Sequence, residues 1–229
     1  MNPLRIFLLA ALVLVVFGVS NVEAEKEPEW RYDTESGTHM ESVSISADGE
    51  YIVATSGDGE IYFFSKNSST PLWKYNAVNN AVKLVAISAD GEYIAGAGDG
   101  KIYLFSKDSN TPLWSYKTEY SAKSVAISTN GEYIVGGTDR KVYLFNKNDS
   151  TPLWSYNTEY EVHSVAISGE GDYLAAGSKY KNDSLKGRVY LFNKDNNTPL
   201  WSYGAANNDV DSVAISADGD YIAAGTGNA

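Results

Sequence analysis

A unit of about 40 residues recurs along this chain, and a repeat of that length limits the possible folds more than any other feature. Five tryptophans mark it: Trp30, Trp73, Trp114, Trp154 and Trp201, spaced by 43, 41, 40 and 47 residues. The last four each close a Thr-Pro-Leu-Trp block. A second block recurs five times, as ESVSISADGEYIVATSG, KLVAISADGEYIAGAGD, KSVAISTNGEYIVGGTD, HSVAISGEGDYLAAGSK and DSVAISADGDYIAAGTG. A third recurs four times, as EIYFFSK, KIYLFSK, KVYLFNK and RVYLFNK. A unit this short cannot bury its own apolar faces, so copies must stack on one another.

The third full unit shows what is stacked. Residues 124–128 form a β-rich run and lead to the turn pair Asn130-Gly131. Residues 133–137 form a second run, broken at Thr138-Asp139-Arg140, and residues 141–145 a third. A polar stretch then leads into Pro152-Leu153-Trp154-Ser155-Tyr156. This predicts four strands in about 40 residues, with a tight turn at Asn-Gly or Asp-Gly. The third strand is apolar on both faces, Val142 and Leu144 against Tyr143 and Phe145, so both sides must be covered. Proline at the head of the fourth run suits an outer edge, with its tryptophan reaching over the next unit. Gly96, Gly136, Gly137, Gly177 and Gly225 end the second strands, where close backbone approach is expected.

These features predict an all-β fold: a β-propeller of four-stranded antiparallel blades. The blade units run over about residues 28–76, 77–117, 118–157 and 158–203, with a partial unit at 204–229. The count does not close. Five first strands, five second strands and five Trp strands accompany only four YLF strands, so about four and a half blades are present and the ring is incomplete. An open arc leaves blade faces bare. The preferred expectation is a chain that forms the N-terminal part of a longer propeller; the alternative is closure by dimerisation.

Residues 1–24 are set apart from the repeats, which occupy residues 25–229. A short positive segment precedes 14 apolar residues, 6–19, followed by a polar stretch ending in a Val-x-Ala site at Ala24. This is the pattern of a secretory signal peptide, and the apolar run is shorter than the roughly 20 residues that span a bilayer. The rival reading is an uncleaved membrane anchor. Export to an extracytoplasmic location is therefore expected, with membrane contact only through an uncleaved leader or a further C-terminal anchor. The chain carries 18 Lys and Arg against 29 Asp and Glu, a net charge of −11, which disfavours nucleic acid and anionic lipid. It has no cysteine, which excludes disulfides and thiolate chemistry.

The pattern of a hydrophobic strand such as SVAIS, a Ser-x-Asp-Gly turn, a small-residue strand and a closing strand such as KVYLF resembles the WD repeat, with Phe105-Ser106, Phe145-Asn146 and Phe192-Asn193 where that family has Trp-Asp. KVYLFNKNDSTPLWSY resembles the pyrroloquinoline-quinone-type propeller repeat, with Thr-Pro in place of the family's Thr-Gly. The resemblance spans residues 28–229 and implies the architecture. It does not carry the quinone: the quinone enzymes use vicinal cysteines, calcium-ligating side chains and a full ring of blades, so no cofactor is expected. Exported prokaryotic surface propellers are the nearest in character, and they imply recognition or display.

Repeats supply an internal control: positions identical in every unit serve the blade, and positions that differ are free to serve function. The Asp-Gly pairs at Asp48, Asp90 and Asp218, and Asp58, Asp99 and Asp139 in the second turn, belong to hairpins; a calcium loop would need more acidic positions. The variable positions gather in the connections between units and in the loops after the second strands, which share one face in propeller topology. Tyr120, Tyr160 and Tyr180, with Glu119, Glu159, Asn80 and Asn208, are the candidate ligand-binding residues there. Tyrosine beside asparagine suits sugar or peptide recognition, and the plainer reading is an ordinary solvated loop. His163 aligns with Glu41, Lys83, Lys123 and Asp211, and a solvated histidine is the plainer reading there too. No catalytic or metal site is expected. Four sequons, at Asn67, Asn148, Asn182 and Asn196, are candidate N-glycosylation sites; Asn and Ser are also simply favoured in turns. The expected function is an exported, non-catalytic repeat protein that binds a protein, peptide or glycan at the cell surface. The alternative is the N-terminal part of a propeller enzyme, a quinoprotein-like oxidoreductase or a hydrolase.

Overall fold

The computed structural model of the chain describes residues 8–9, 27–34, 37–77, 82–98, 100–179, 187–205 and 208–228. Residues 1–24 lie outside the described residues except for β1 (Leu8–Leu9), which pairs in parallel with β2 (Arg31–Tyr32). Four four-stranded sheets follow. They are β3 (Met40–Ile45), β4 (Tyr51–Ser56), β5 (Glu60–Ser65) and β6 (Trp73–Asn76); then β7 (Val82–Ile87), β8 (Tyr93–Gly98), β9 (Lys101–Ser106) and β10 (Trp114–Lys117). The third is β11 (Ala122–Ile127), β12 (Tyr133–Thr138), β13 (Lys141–Asn146) and β14 (Trp154–Asn157). The fourth is β15 (Glu161–Ile167), β16 (Tyr173–Lys179), β17 (Arg188–Asn193) and β18 (Trp201–Gly204). A two-stranded sheet, β19 (Asn208–Ile215) and β20 (Ile222–Asn228), ends the series. Every one of these five sheets is antiparallel in sequence order, as in the blades of an incomplete propeller.

The turn between the first two strands is built by side chains. Ser46 Oγ donates to Asp48 Oδ1 (2.6 Å) and accepts the Tyr51 amide (3.0 Å), while Asp48 Oδ1 also accepts the Glu50 amide (3.0 Å). Ser88 with Asp90, and Ser128 with Asn130, repeat the arrangement. The glycine of the turn takes the left-handed conformation, φ 70° at Gly131. The same glycine is where the preceding blade docks. A Cβ on Gly91, Gly131, Gly171 or Gly219 would lie 2.4–2.5 Å from the ring of Tyr51, Tyr93, Tyr133 or Tyr173 of the blade before. Backbone bonds run through the same turns: Ala47 N to Ala89 O (2.9 Å), Ala89 N to Thr129 O (3.0 Å), Thr129 N to Gly169 O (2.9 Å) and Gly169 N to Ala217 O (2.8 Å).

The doubly apolar third strand is covered on both sides. Tyr143 and Phe145 pack with Ile102, Leu104, Trp114 and Tyr116 of the blade before; Val142 and Leu144 pack with Val162, Val165 and Tyr190 of the blade after. The tryptophans reach forward: Trp73 meets Phe105 at 5.7 Å, Trp114 meets Phe145 at 5.3 Å and Trp154 meets Phe192 at 5.4 Å between ring centroids. Each indole N–H also donates to a carbonyl in the next blade's turn, at Lys107, Lys147 and Lys194 (2.7–2.8 Å). Trp30 makes the same bond to Lys66 O (2.7 Å) and stacks near Phe64, so residues 30–32 cover the first blade as a Trp strand would.

Three details differ from the sequence reading. The fourth strands begin at tryptophan rather than at the proline two residues before it, because the Leu153 amide already bonds Leu144 O and sets the pairing edge. Three of the second-strand glycines are met by valine or isoleucine side chains of neighbouring blades rather than by backbone: Gly136 faces Ile102, Gly137 faces Val162 and Val165, and Gly177 faces Val210 and Val213. Finally, each first strand carries a bulge near its start, between Met40/Ser42, Val82/Leu84, Ala122/Ser124, Val162/Ser164 and Val210/Ser212.

Two outcomes test the stacking. Trp154→Phe keeps a ring but loses the bond to Lys194, and should lower stability by about 1–2 kcal/mol in urea unfolding. Trp201→Phe, whose indole makes no such bond among the described residues, should change it by no more than about 0.5 kcal/mol. Burial pushes the Tyr190 hydroxyl from 10 up to about 12, and burial raises Tyr62 and Tyr143 as well. A folded pKa above the unfolded one means this stabilisation is complete below about pH 10 and is lost as pH rises through about 12. Tyr190→Phe should therefore move the alkaline unfolding midpoint to higher pH, read by circular dichroism.

Candidate functional site

The connections between blades and the loops after the second strands lie side by side at one end of the sheets. Thr118 N donates to Gly100 O (2.9 Å), Thr158 N to Arg140 O (2.8 Å), Gly57 N to His39 O (2.9 Å) and Ala205 N to Gly187 O (2.8 Å). Buried Thr118 and Thr158 shape two of these connections by donating their hydroxyls to Tyr120 O and Tyr160 O, both at 2.6 Å. Tyr120 and Tyr160 therefore hold equivalent places, half-buried, each preceded by an exposed glutamate, Glu119 or Glu159. Arg140 lies over the Tyr120 ring at 6.0 Å, and Lys141 pairs with Glu119 at 2.7 Å. That pairing raises the Lys141 ammonium above its ordinary value, so it is charged throughout the neutral range.

The bulges add a second row. At each one the extra residue of the innermost strand is a titratable or charged side chain: Glu41, Lys83, Lys123, His163 and Asp211. A bulge re-aims its side chain, so a column that varies in charge between blades is also one turned out of the regular ladder. Two of these side chains, Lys123 and Asp211, pair across a blade boundary. The Lys123 ammonium is 3.5 Å from Asp139 and 3.8 Å from Glu161, and Glu161 is 3.8 Å from His163 Nδ1. Lys179 pairs with Asp211 at 2.5 Å and holds its carboxyl below the usual range, with the His163 ring adding to the effect. Asp139 Oδ1 and His163 Nδ1 are shielded from solvent without a hydrogen bond among the described residues.

Of the sequence candidates, Glu119 and Tyr120 are brought together with Arg140 and Lys141, and Glu159 with Tyr160 one blade on. His163 sits beside Glu161 on β15, three residues after Tyr160 and at the same end of the sheets. Asn208 starts β19, with its amide on Ala205 O (2.7 Å) and its carbonyl taking the Gly187 amide (3.1 Å), so its backbone is a loop clasp. Tyr180, Asn80 and the sequon Asn182 lie outside the described residues, as does Asp99. Asn67, Asn148 and Asn196 are exposed in the turns before the Trp strands, at the opposite end of the sheets from the tyrosines. Glu161, Lys179 and Arg140 were not among the sequence candidates, and Asp139 was read there as a hairpin-turn residue. The aligned column of charges was the available signal for part of them, whereas the pairing across blades was not visible in any one unit. The turn aspartates use their oxygens internally: the Ser46 hydroxyl lowers the Asp48 pKa, and the Ser216 hydroxyl lowers that of Asp218.

The chain matches a protein-family model described as outer membrane protein assembly factor BamB, a pyrroloquinoline-quinone-type repeat family, over residues 18–169 and again over residues 98–229. The two overlapping matches cover most of the chain, and it belongs to that family. No curated protein matches it.

The Lys179–Asp211 pair has a measurable signature. Asp211's lowered pKa means its contribution is present above the unfolded carboxyl value and is lost as pH falls through the folded one. Lys179→Met should raise the Asp211 titration midpoint, read from its side-chain carboxyl shift by NMR, without altering that of Asp218.

Proposed function

We propose that this member of the outer membrane protein assembly factor BamB family is an exported, non-catalytic binding module that holds a protein ligand at the loop end of its blades. The observation that carries the reading is the contrast within the repeat. Residues that stack blades are nearly invariant, whereas the inner-strand bulges and the connections vary in charge and carry Tyr120 and Tyr160. A rigid scaffold that varies only at one end is organised for recognition there. The side chains on offer suit a polypeptide: two tyrosines, exposed Glu119 and Glu159, and the cations Arg140 and Lys123. The family description, a factor in outer-membrane protein assembly, favours a protein ligand over a glycan and an extracytoplasmic location. The leader pattern at residues 1–24 supports the same location.

Both histidines bear on the non-catalytic reading. His163 lies 3.8 Å from Glu161, beyond hydrogen-bond distance, and His39 bonds Glu41 at 3.1 Å with its own side chain 70% exposed, a solvated surface pair rather than an oriented general base. Any N-glycan on Asn67, Asn148 or Asn196 would lie at the far end of the sheets and leave the loop end clear.

Probing peptide and glycan arrays with the purified chain, and then with Tyr120→Ala/Tyr160→Ala, tests the proposal. Peptide ligands should lose affinity by at least about tenfold in the double variant, with an unchanged urea midpoint. Full retention of affinity would place the site elsewhere, and hits confined to glycans would overturn the protein-ligand reading.

A further inference from the structure

The loop end of the sheets is divided by charge. The segments of the second and third sheets that reach it carry Lys83, Lys101, Lys117, Lys123, Arg140 and Lys141 against Asp99, Glu119 and Asp139, a local excess of cations in a chain whose net charge is −11. The sheets on either side present acids at the same end: Glu41, Asp58 and Glu60 on the first, Glu159 and Glu161 beside the fourth. Charge segregated in this way selects the ligands that approach.

Two of the cations are set against each other. Lys101 opens β9, Lys117 closes β10, and the two are direct cross-strand partners. Like charges in that relation repel. The other three sheets avoid it, with Glu60 opposite Asn76, Lys141 opposite Asn157 and Arg188 opposite Gly204. Lys123 and Lys141 have acidic partners in Asp139 and Glu119. Among the described residues, Lys83, Lys101, Lys117 and Arg140 form no ion pair, and Lys83, Lys117 and Arg140 are exposed. Short contacts join them into one surface. The Thr118 amide bond to Gly100 O (2.9 Å) fastens the Lys117 connection to the Lys101 loop, and Tyr120 of that connection lies under Arg140 at 6.0 Å.

We infer, on the premise that recognition takes place at the loop end, that the second and third sheets bind an acidic segment of the partner polypeptide. One carboxylate of the segment sits between Lys101 and Lys117 and relieves their repulsion. A second is held by Arg140 beside Tyr120, where the planar guanidinium offers a carboxylate two parallel N–H donors. The acids of the first and fourth sheets repel any longer acidic run, so the segment is confined to the width of two sheets. A phosphate polymer or an anionic lipid surface has the same sign of charge but extends it across those acids.

The heptapeptide EDEYDED and its uncharged counterpart QNQYNQN are the probes, titrated into the purified chain and followed by fluorescence anisotropy. EDEYDED should bind saturably, at least about tenfold tighter than QNQYNQN, and should weaken as salt is added. Lys117→Asn installs the residue that the first and third sheets carry at that place. It should weaken EDEYDED by about fivefold or more while leaving the urea midpoint unchanged or higher, because the like-charge pair is gone. Arg140→Gln should weaken the peptide to a similar degree. Equal binding of the two peptides, abolished for both by Tyr120→Ala, would overturn the acidic-ligand inference and leave loop-end recognition standing. No saturable binding of EDEYDED, or binding unaffected by Lys117→Asn and Arg140→Gln, would also overturn it. So would phosphatidylglycerol vesicles that bind through Lys117 and Arg140 and are not displaced by EDEYDED, since an anionic lipid would then be the ligand.

Discussion

Blade-to-blade stacking through one aromatic layer is the constraint on which everything else in this molecule depends. No sheet here covers its own faces. The Tyr-x-Phe side of each third strand is closed by the Trp-x-Tyr strand of the sheet before, as Phe145 is by Trp114 and Tyr116. The contact is directional as well as apolar, because each buried-side indole N–H ends on a carbonyl of the following sheet. At the inner end the tyrosine that opens each second strand presses on the turn glycine of the next sheet. Aromatic burial supplies most of the attraction, and the indole bond and the glycine contact set the angle at which the next sheet arrives.

Holding the stack this way frees one end of it. The turns that carry Ser-x-Asp-Gly and the turns before the tryptophans are tied up in side-chain and backbone bonds, including the Lys107–Glu92 and Lys147–Glu132 ion pairs. At the opposite end the connections need only reach the next sheet. Buried Thr118 and Thr158 satisfy that need with a single bond each, and the tyrosine that follows is left to the surface. The inner-strand bulges do the same for charge: one residue per sheet leaves the ladder, and that residue is Glu, Lys, Lys, His or Asp in turn. Pairing of Lys123 with Glu161 and of Lys179 with Asp211 then fixes the pattern across sheet boundaries.

Much of this was legible in the primary structure. The strand order, the covered third strand and the forward reach of the tryptophans follow from period, alternation and proline placement, since each is set within one unit. What was not legible is long-range or geometric. The bulge at residue 123 leaves the alternation of Lys123-Ser124-Val125 looking like an ordinary strand entry. The valines that meet Gly137 and Gly177 come from the next unit, some 25–36 residues further on in Val162, Val165, Val210 and Val213. Of the site, Glu119, Tyr120, Glu159 and Tyr160 could be found as variable loop residues, whereas Glu161, Lys179 and Arg140 acquire meaning only from their partners.

The amino-acid sequence by itself determined the all-β repeat, its four-strand unit and the residues that must lie between units, because burial of a doubly apolar strand admits few solutions. Tertiary structure alone decided which side of each sheet meets which neighbour, where the inner strands bulge, and which charges pair. It also left Trp201 and Tyr203 exposed where the chemically identical Trp154 and Tyr156 are half-buried. The reason is that a side chain's environment is set by the sheet packed against it, and that sheet is encoded some 40 residues away.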